Sequence, residues 1–387
     1  MLSAKPYRAI ALLVLFVGPS IASACPFCSP ISQTFSEEMA AMDVVVIARL
    51  TVPPARIFAA SEDQEIPTGT FEINEVLKGA EALGATKTVQ TICFSSGEVG
   101  DLFLIVGVEP PQITWSTPSR ISGRAAAYLR SLDGLPDEGT DRLRFFLKHL
   151  EDQDEMLARD AYDEFARSPY STIQDLKPDL DRGQIVQWIS DPELPVHRRR
   201  LYLVLLSVCG GPEDAKMLER MMRSEDRRKR AGLDAMIGCY LTLVGQAGMP
   251  LVEELFLKNH EADYADSYAA IIALRFHGTE TDVIPRTRIL EGLRYMLDRP
   301  PLADLVIPDL ARWEDWSQIE RLVRLFKEAD EESSWVRVPV VNYLLVCPKP
   351  EAKQYIQELE KIDPDAVQRA RIFLPFGSGA FSAEDPS

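Results

Sequence analysis

The chain has 387 residues, 46% apolar and 26% charged, which suits two or three domains with real cores and excludes a disordered polymer. Its formal net charge of −17 repels nucleic acid and anionic lipid, so neither is an expected partner.

Residues 1–24 read as a secretory signal. Lys5 and Arg8 form a basic start, Ala9–Val17 is an apolar run too short for a good membrane span, and Ala22-Ser23-Ala24 is a small-residue cleavage site. Cleavage leaves Cys25 as the first residue. A cysteine directly after the cut also admits lipid anchoring, although Ala22 stands where such sites usually carry Leu. The expected location is therefore exported, periplasmic or extracellular. Membrane attachment follows only if Cys25 is lipidated or the leader is retained. No later stretch reads as apolar enough to cross a membrane. Export makes disulfides permissible.

Residues 25–120 read as β. A short helix starts near Thr34 or Ser36. Val44–Ile47 is a continuous apolar run, the mark of a buried strand. Thr70–Leu77 alternates, Thr86–Phe94 is rich in Thr and Val, Asp101–Val108 is a second buried run, and Gln112–Trp115 is a short one. A helix follows over Gly123–Leu132. Five short strands and a helix predict a small closed barrel of the OB type over 25–135.

From Gly139 strand signals vanish. Leu143, Phe146, Leu147 and Leu150 fall at helical spacing, as do Leu201, Val204, Leu205 and Val208, and Ile319, Leu322, Val323 and Phe326. Gly210-Gly211-Pro212, Gly248-Met-Pro250 and Arg299-Pro-Pro301 punctuate the helices. They pair with a repeat of roughly 30–40 residues, which predicts an α-solenoid over 139–376 with about six or seven units. The small and acidic tail, 377–387, reads as unstructured. The expected class is thus multidomain, β followed by all-α.

Two resemblances accompany this reading. Cys25-x-x-Cys28-Ser-Pro, then Phe35 and Asp43-Val-Val-Val-Ile-Ala, then Phe71-x-Ile-x-x-Val76-x-Lys78-Gly79, then Cys93 and Phe103-Leu-Ile-Val-Gly resemble the netrin-like domain, which includes the tissue inhibitors of metalloproteinases. The resemblance implies an OB barrel and a Cys25–Cys93 disulfide. It also implies a free Cys25 amine that chelates a protease's zinc, since an α-amine of pKa about 8 is partly neutral at pH 7. Two departures stand out: those inhibitors begin Cys-x-Cys, and no late front-domain partner exists for Cys28. The helical part looks like HEAT-type repeats, with Arg159, Arg198 and Arg337 near the starts of second helices. That implies a scaffold.

Cys25, Cys28 and Cys93 are the disulfide candidates, in several possible pairings. Cys25-Pro-Phe-Cys28 also matches a redox pair, but thioredoxin-like motifs follow a strand and this one follows a cleavage site. The front domain offers three cysteines and no histidine before His149, so no metal is expected. Cys209, Cys239 and Cys347 read as core, and Trp313, Trp316 and Trp335 as packing between units. His197-Arg198-Arg199-Arg200 and Arg227-Arg228-Lys229-Arg230 read either as a docking patch for an acidic partner or as solvated helix ends paired with Asp191, Glu193, Glu225 and Asp226. There is no phosphate-cradling loop, nucleophile elbow or dinucleotide fingerprint. The expected function is non-catalytic protein binding without a cofactor. A metalloprotease inhibitor acting through Cys25 and a Cys-x-x-Cys thiol oxidoreductase are the alternatives.

Overall fold

The computed structural model describes residues 25–54, 66–331 and 333–372; the expectations for the leader, 1–24, and the tail, 377–387, lie outside them. A short helix α1 (Phe35–Ala41) leads into one antiparallel sheet of β1 (Val44–Val52), β2 (Thr68–Lys78), β3 (Thr88–Ile92), β4 (Leu102–Val108), β5 (Thr114–Trp115) and β6 (Ser119–Ile121). The order is β3-β2-β1-β4-β5, with β6 also on β4. The β1–β2 register shifts at three places, and such irregularities supply the bend a closing sheet needs. At the seam the Thr91 hydroxyl donates to the carbonyls of Trp115 and Ser116 (3.4 and 3.3 Å) and Ser95 to that of Pro118 (3.4 Å). The sheet is thereby nearly closed into a small barrel.

Strand periodicity divides β1 between two cores. Val44, Val46, Ala48 and Leu50 point into the barrel with Phe71, Val89, Phe103 and Ile105. Val45 and Ile47, with Leu104 and Val106 of β4, join the core of the helical part. Burial on both faces is why Val44–Ile47 is unbroken apolar sequence. Gly79, at φ 79°, turns the chain into α2 (Ala80–Leu83); a Cβ there would stand 2.1 Å from the Asp43 carbonyl oxygen. The preceding Lys78 ammonium donates to the carbonyls of Met39 and Ala40 (2.9 and 2.8 Å), meeting the open end of α1.

Beyond α3 (Gly123–Leu132) the helices come in pairs. α4 (Thr140–Leu147) pairs with α5 (Glu155–Arg167). Then α6 (Tyr170–Asp175) and α7 (Arg182–Ser190) precede α8 (Val196–Cys209). α9 (Pro212–Met222) pairs with α10 (Leu233–Val244), and α11 (Met249–Val252) with α12 (Tyr264–Thr279). α13 (Arg286–Arg294) is answered by α14 (Pro300–Ala303) and α15 (Ile307–Arg312). α16 (Ile319–Glu328) pairs with α17 (Arg337–Val346), and α18 (Pro350–Glu360) with α19 (Pro364–Ile372). Pro250 and Pro300 lie in the first turns of α11 and α14, where a missing N–H costs nothing.

Ion pairs bolt successive repeats together. Arg182 grips Asp214 with two bonds of 2.6 Å, Arg200 grips Asp234 at 2.9 and 3.0 Å, and Arg275 donates to Asp309 at 2.8 Å. Arg230 meets Asp266, and Arg337 meets Asp363 at 2.8 Å. One continuous run, Leu233–Leu257, has the length and mean hydropathy (1.4) to cross a membrane, contrary to the expectation that nothing after the leader would. Its most apolar stretch is 61% buried inside the fold, as a mostly apolar helix in the middle of a solenoid requires.

Candidate functional site

The barrel does not hold its own N-terminal segment. Residues 25–35 run as a strap over α5, α10 and α12, the second helices of three repeats. At its head Cys25 and Cys28 form a disulfide with Cα atoms 5.2 Å apart, and the Cys28 N–H donates to the Cys25 carbonyl at 3.1 Å. Pro26 and Phe27 fill the middle of this turn, a position proline pre-orders. The turn drives Phe27 into the helices. Its ring meets Phe276 edge-on at 5.0 Å and lies on Gly238, where a Cβ would approach the ring to 2.6 Å. Phe276 in turn packs against Tyr170 at 5.1 Å.

Further along, α5 grips the strap's backbone. The Tyr162 hydroxyl donates to the Ser29 carbonyl at 3.2 Å. Asp163 accepts the Ile31 N–H (2.6 Å), the Ser32 N–H (3.2 Å) and the Ser32 hydroxyl (2.8 Å). Arg167 donates to the Ser32 carbonyl at 2.6 Å and pairs with Glu37 at 2.9 Å. Asp160 accepts the Phe35 N–H (2.7 Å) and the Tyr128 hydroxyl of α3 (2.6 Å). Asp160, Asp163 and Arg167 recur at i, i+3, i+7, so one helix face presents these three clamp residues.

Burial sets the protonation of this region. It raises Asp160 to about 6, against which its bonds from Tyr128 and Phe35 pull down. It also raises the Tyr128 phenol, with the neighbouring Asp160 charge adding to the effect. His277, one residue beyond the Phe27 seat, is lowered by burial to about 4. Its Nε2 lies 3.0 Å from the Gly238 carbonyl, so that nitrogen carries the proton, and Nδ1 faces the Thr281 hydroxyl at 3.0 Å.

The signs are opposite. A histidine lowered from 6.5 contributes stability that is full above pH 6.5 and lost as pH falls toward 4, whereas Asp160 favours the folded state as pH falls from about 6 toward 3.8. His277→Gln keeps an N–H donor and does not titrate. Between pH 6.5 and 4 its stability is expected to fall less than that of the parent, by on the order of 2 kcal/mol. Denaturant melts across that range check this, and parallel pH curves would count against it.

The Cys25–Cys93 link implied by the netrin-like resemblance is not formed. Cys93 lies inside the barrel, its thiol 3.7 Å from the Ser95 carbonyl, while Cys25 belongs to the helical core and pairs with Cys28. The two sulfurs are on opposite sides of the sheet wall. Cys239 is buried, and Cys209 and Cys347 are half-buried, all as free thiols. Among the described residues no group of His, Cys, Asp or Glu is arranged to hold a metal ion.

The basic runs lie side by side, since Arg199 donates to the Arg228 carbonyl at 2.7 Å. Much of their charge is nevertheless turned inward. Arg198 is buried against Glu155 (2.5 Å), and Arg199 is buried on the Arg228 and Asp191 carbonyls, its guanidinium pKa lowered by desolvation. Arg200 and Arg230 are the inter-repeat bolts described above. His197 packs on the Tyr162 ring at 4.8 Å. Arg227, Arg228 and Lys229 remain exposed, with Arg227 on Asp263 (2.5 Å) and Arg228 beside Asp226 (3.5 Å). Of the four carboxylates expected as partners, Asp226 alone receives an ion pair from these runs. The strap clamp itself carried no sequence signal beyond the apolar Phe27 and Phe35, because its acceptors lie 125 to 132 residues away.

No protein-family model, no curated protein and no solved structure matches this chain. What fold and site define is a class: a barrel-like antiparallel sheet followed by paired helices, with the N-terminal segment strapped across the second helices.

Proposed function

We propose that this is an exported, non-catalytic scaffold whose solenoid binds an extended protein segment along its second helices. One observation carries it: this face already grips an extended segment, residues 25–35, by its backbone N–H and C=O groups through Asp160, Asp163, Tyr162 and Arg167. Backbone gripping with one aromatic pocket is a general mode of peptide recognition. Stacked repeats give such a surface length. The finer identities belong to the same proposal: a netrin-like barrel, supported by the order of its strands around Lys78-Gly79, and HEAT-type repeats, supported by four of the Arg–Asp bolts, which recur at separations of 32 to 36 residues.

The test is selection from a library of extended peptides on the full-length protein, with bound peptides located by photo-crosslinking. Crosslinks are expected on α5, α8, α10 and α12. Crosslinks confined to the barrel, or no selection at all, would sink the proposal. Thiol–disulfide exchange is the second reading, favoured by the Cys25–Cys28 bond. Against it, no helix starts at the pair; α1 begins only at Phe35, so the helix-end effect that lowers a reactive thiol's pKa is missing. Catalysed reduction of insulin separates the two. The inhibitor reading has lost the Cys25–Cys93 pin on which it rested.

A further inference from the structure

We propose that residues 25–35 are a redox-held strap occupying the solenoid's peptide channel, and that reduction of Cys25–Cys28 opens this channel to an extended polypeptide carrying an aromatic anchor. This rests on the reading of the second-helix face as a protein-binding surface.

The channel has built features that serve the strap. Gly238 lies within α10, where glycine weakens a helix by about 1 kcal/mol relative to alanine, and its missing Cβ is the floor of the Phe27 seat. Asp160 and Asp163 are 4% and 0% exposed. Carboxylates so buried are costly unless hydrogen-bonded, and strap amides supply bonds to both. An incoming segment with an aromatic side chain and free backbone N–H groups meets the same seat and the same acceptors.

The strap is also built to let go. Between Cys25 and Gln33 the one backbone–backbone bond among the described residues is the Cys28-to-Cys25 turn, and none of the described strands pairs with the segment. Its outer side is open, with Ile31 53% exposed. What fixes Phe27 in its seat is the turn, and what fixes the turn is the crosslink. Cys28 is half-buried whereas Cys25 is buried, which makes Cys28 the side of the bond for an external dithiol to attack. Such a reductant gives two electrons and two protons: the Cys25–Cys28 S–S bond breaks, two thiols form, and the reductant leaves as its own disulfide. The turn then loses its restraint, and ordering Phe27 costs entropy that the crosslink had removed.

Two measurements on the full-length protein test this. The first is amide hydrogen exchange at Cys28, Ile31 and Ser32 with and without a dithiol. Reduction is expected to speed exchange at least about tenfold, equivalent to ~1.4 kcal/mol; unchanged exchange overturns the strap. The second uses a dye-labelled synthetic peptide of residues 25–37 with its disulfide closed. In the oxidised parent the tethered strap excludes it through high effective concentration. In the C25S/C28S variant, without reductant, binding is expected to tighten at least about tenfold, with competition by unlabelled peptide. Phe27→Ala gives an independent opening and should act in the same direction. If exchange rises yet the peptide binds neither variant, the partner proposal is overturned together with the peptide-binding reading. If exchange is unchanged while library peptides still crosslink to the second helices, the strap alone has failed.

Discussion

Asp160→Ala is expected to cost ~3–5 kcal/mol of folding stability, and Asp160→Asn about 1 kcal/mol. Asp160 ties strap, barrel exit and solenoid together through one side chain: it takes the Phe35 N–H at 2.7 Å and the Tyr128 hydroxyl at 2.6 Å, both in buried surroundings. Alanine leaves both donors buried and unpaired, each costing ~1–3 kcal/mol. Asparagine keeps an oxygen for Phe35 and offers its amide N–H to the Tyr128 oxygen. Asparagine also removes a carboxyl whose charge burial disfavours at neutral pH, which offsets part of the loss. Urea titrations of the two variants check the order. Equal losses would mean that charge, not hydrogen-bond satisfaction, governs this site.

Arg275→Met should be nearly as damaging, at ~3–5 kcal/mol, although Arg275 is itself only half-buried. Its Nε donates to Asp309 at 2.8 Å and its Nη2 to the Leu305 carbonyl. Asp309 is fully buried, and burial raises its pKa even with Arg275 and Arg312 beside it. Removing Arg275 leaves that carboxylate with Arg312 alone, at 3.3 Å from a side chain that is half in solvent. Breaking one side of a buried pair is the costly direction. Adding Asp309→Asn to Arg275→Met should recover part of the loss, since the stranded charge is gone. A double-mutant cycle reads this directly, and a loss below about 0.5 kcal/mol for Arg275→Met alone would contradict it.

These two sites also mark the boundary of what the chain discloses as text. Local pattern was legible: Val44–Ile47 as a buried strand, the helix at Gly123–Leu132, the α1 start near Thr34, and paired helices after Gly139. Weak local pattern was not. β6 is three residues with an exposed Ser119 and Arg120, and α2 is a single turn after Gly79. Non-local pairing was least visible. The Arg198–Arg200 and Arg227–Arg230 runs read as a docking patch or as helix ends paired with nearby acids, because the carboxylates that Arg198, Arg200, Arg227 and Arg230 meet lie 34 to 43 residues away on the neighbouring repeat. The tryptophans followed the same rule. Of the three read as packing between units, Trp313 covers Gly278 and Trp316 meets Tyr343 at 5.1 Å, while Trp335 is 46% exposed.

The placement of the strap orders events during synthesis. Cys25–Phe35 leaves the ribosome before any part of its seat, and Asp163 follows Ile31 by 132 residues, with Gly238 and Phe276 later still. The barrel can collapse while the strap has nowhere to dock, since contacts of such separation form only after the intervening chain is made. Phe27 and the cysteine pair are therefore exposed to whatever meets the nascent chain first. Docking of the strap becomes a closing event that reports on the completion of α12.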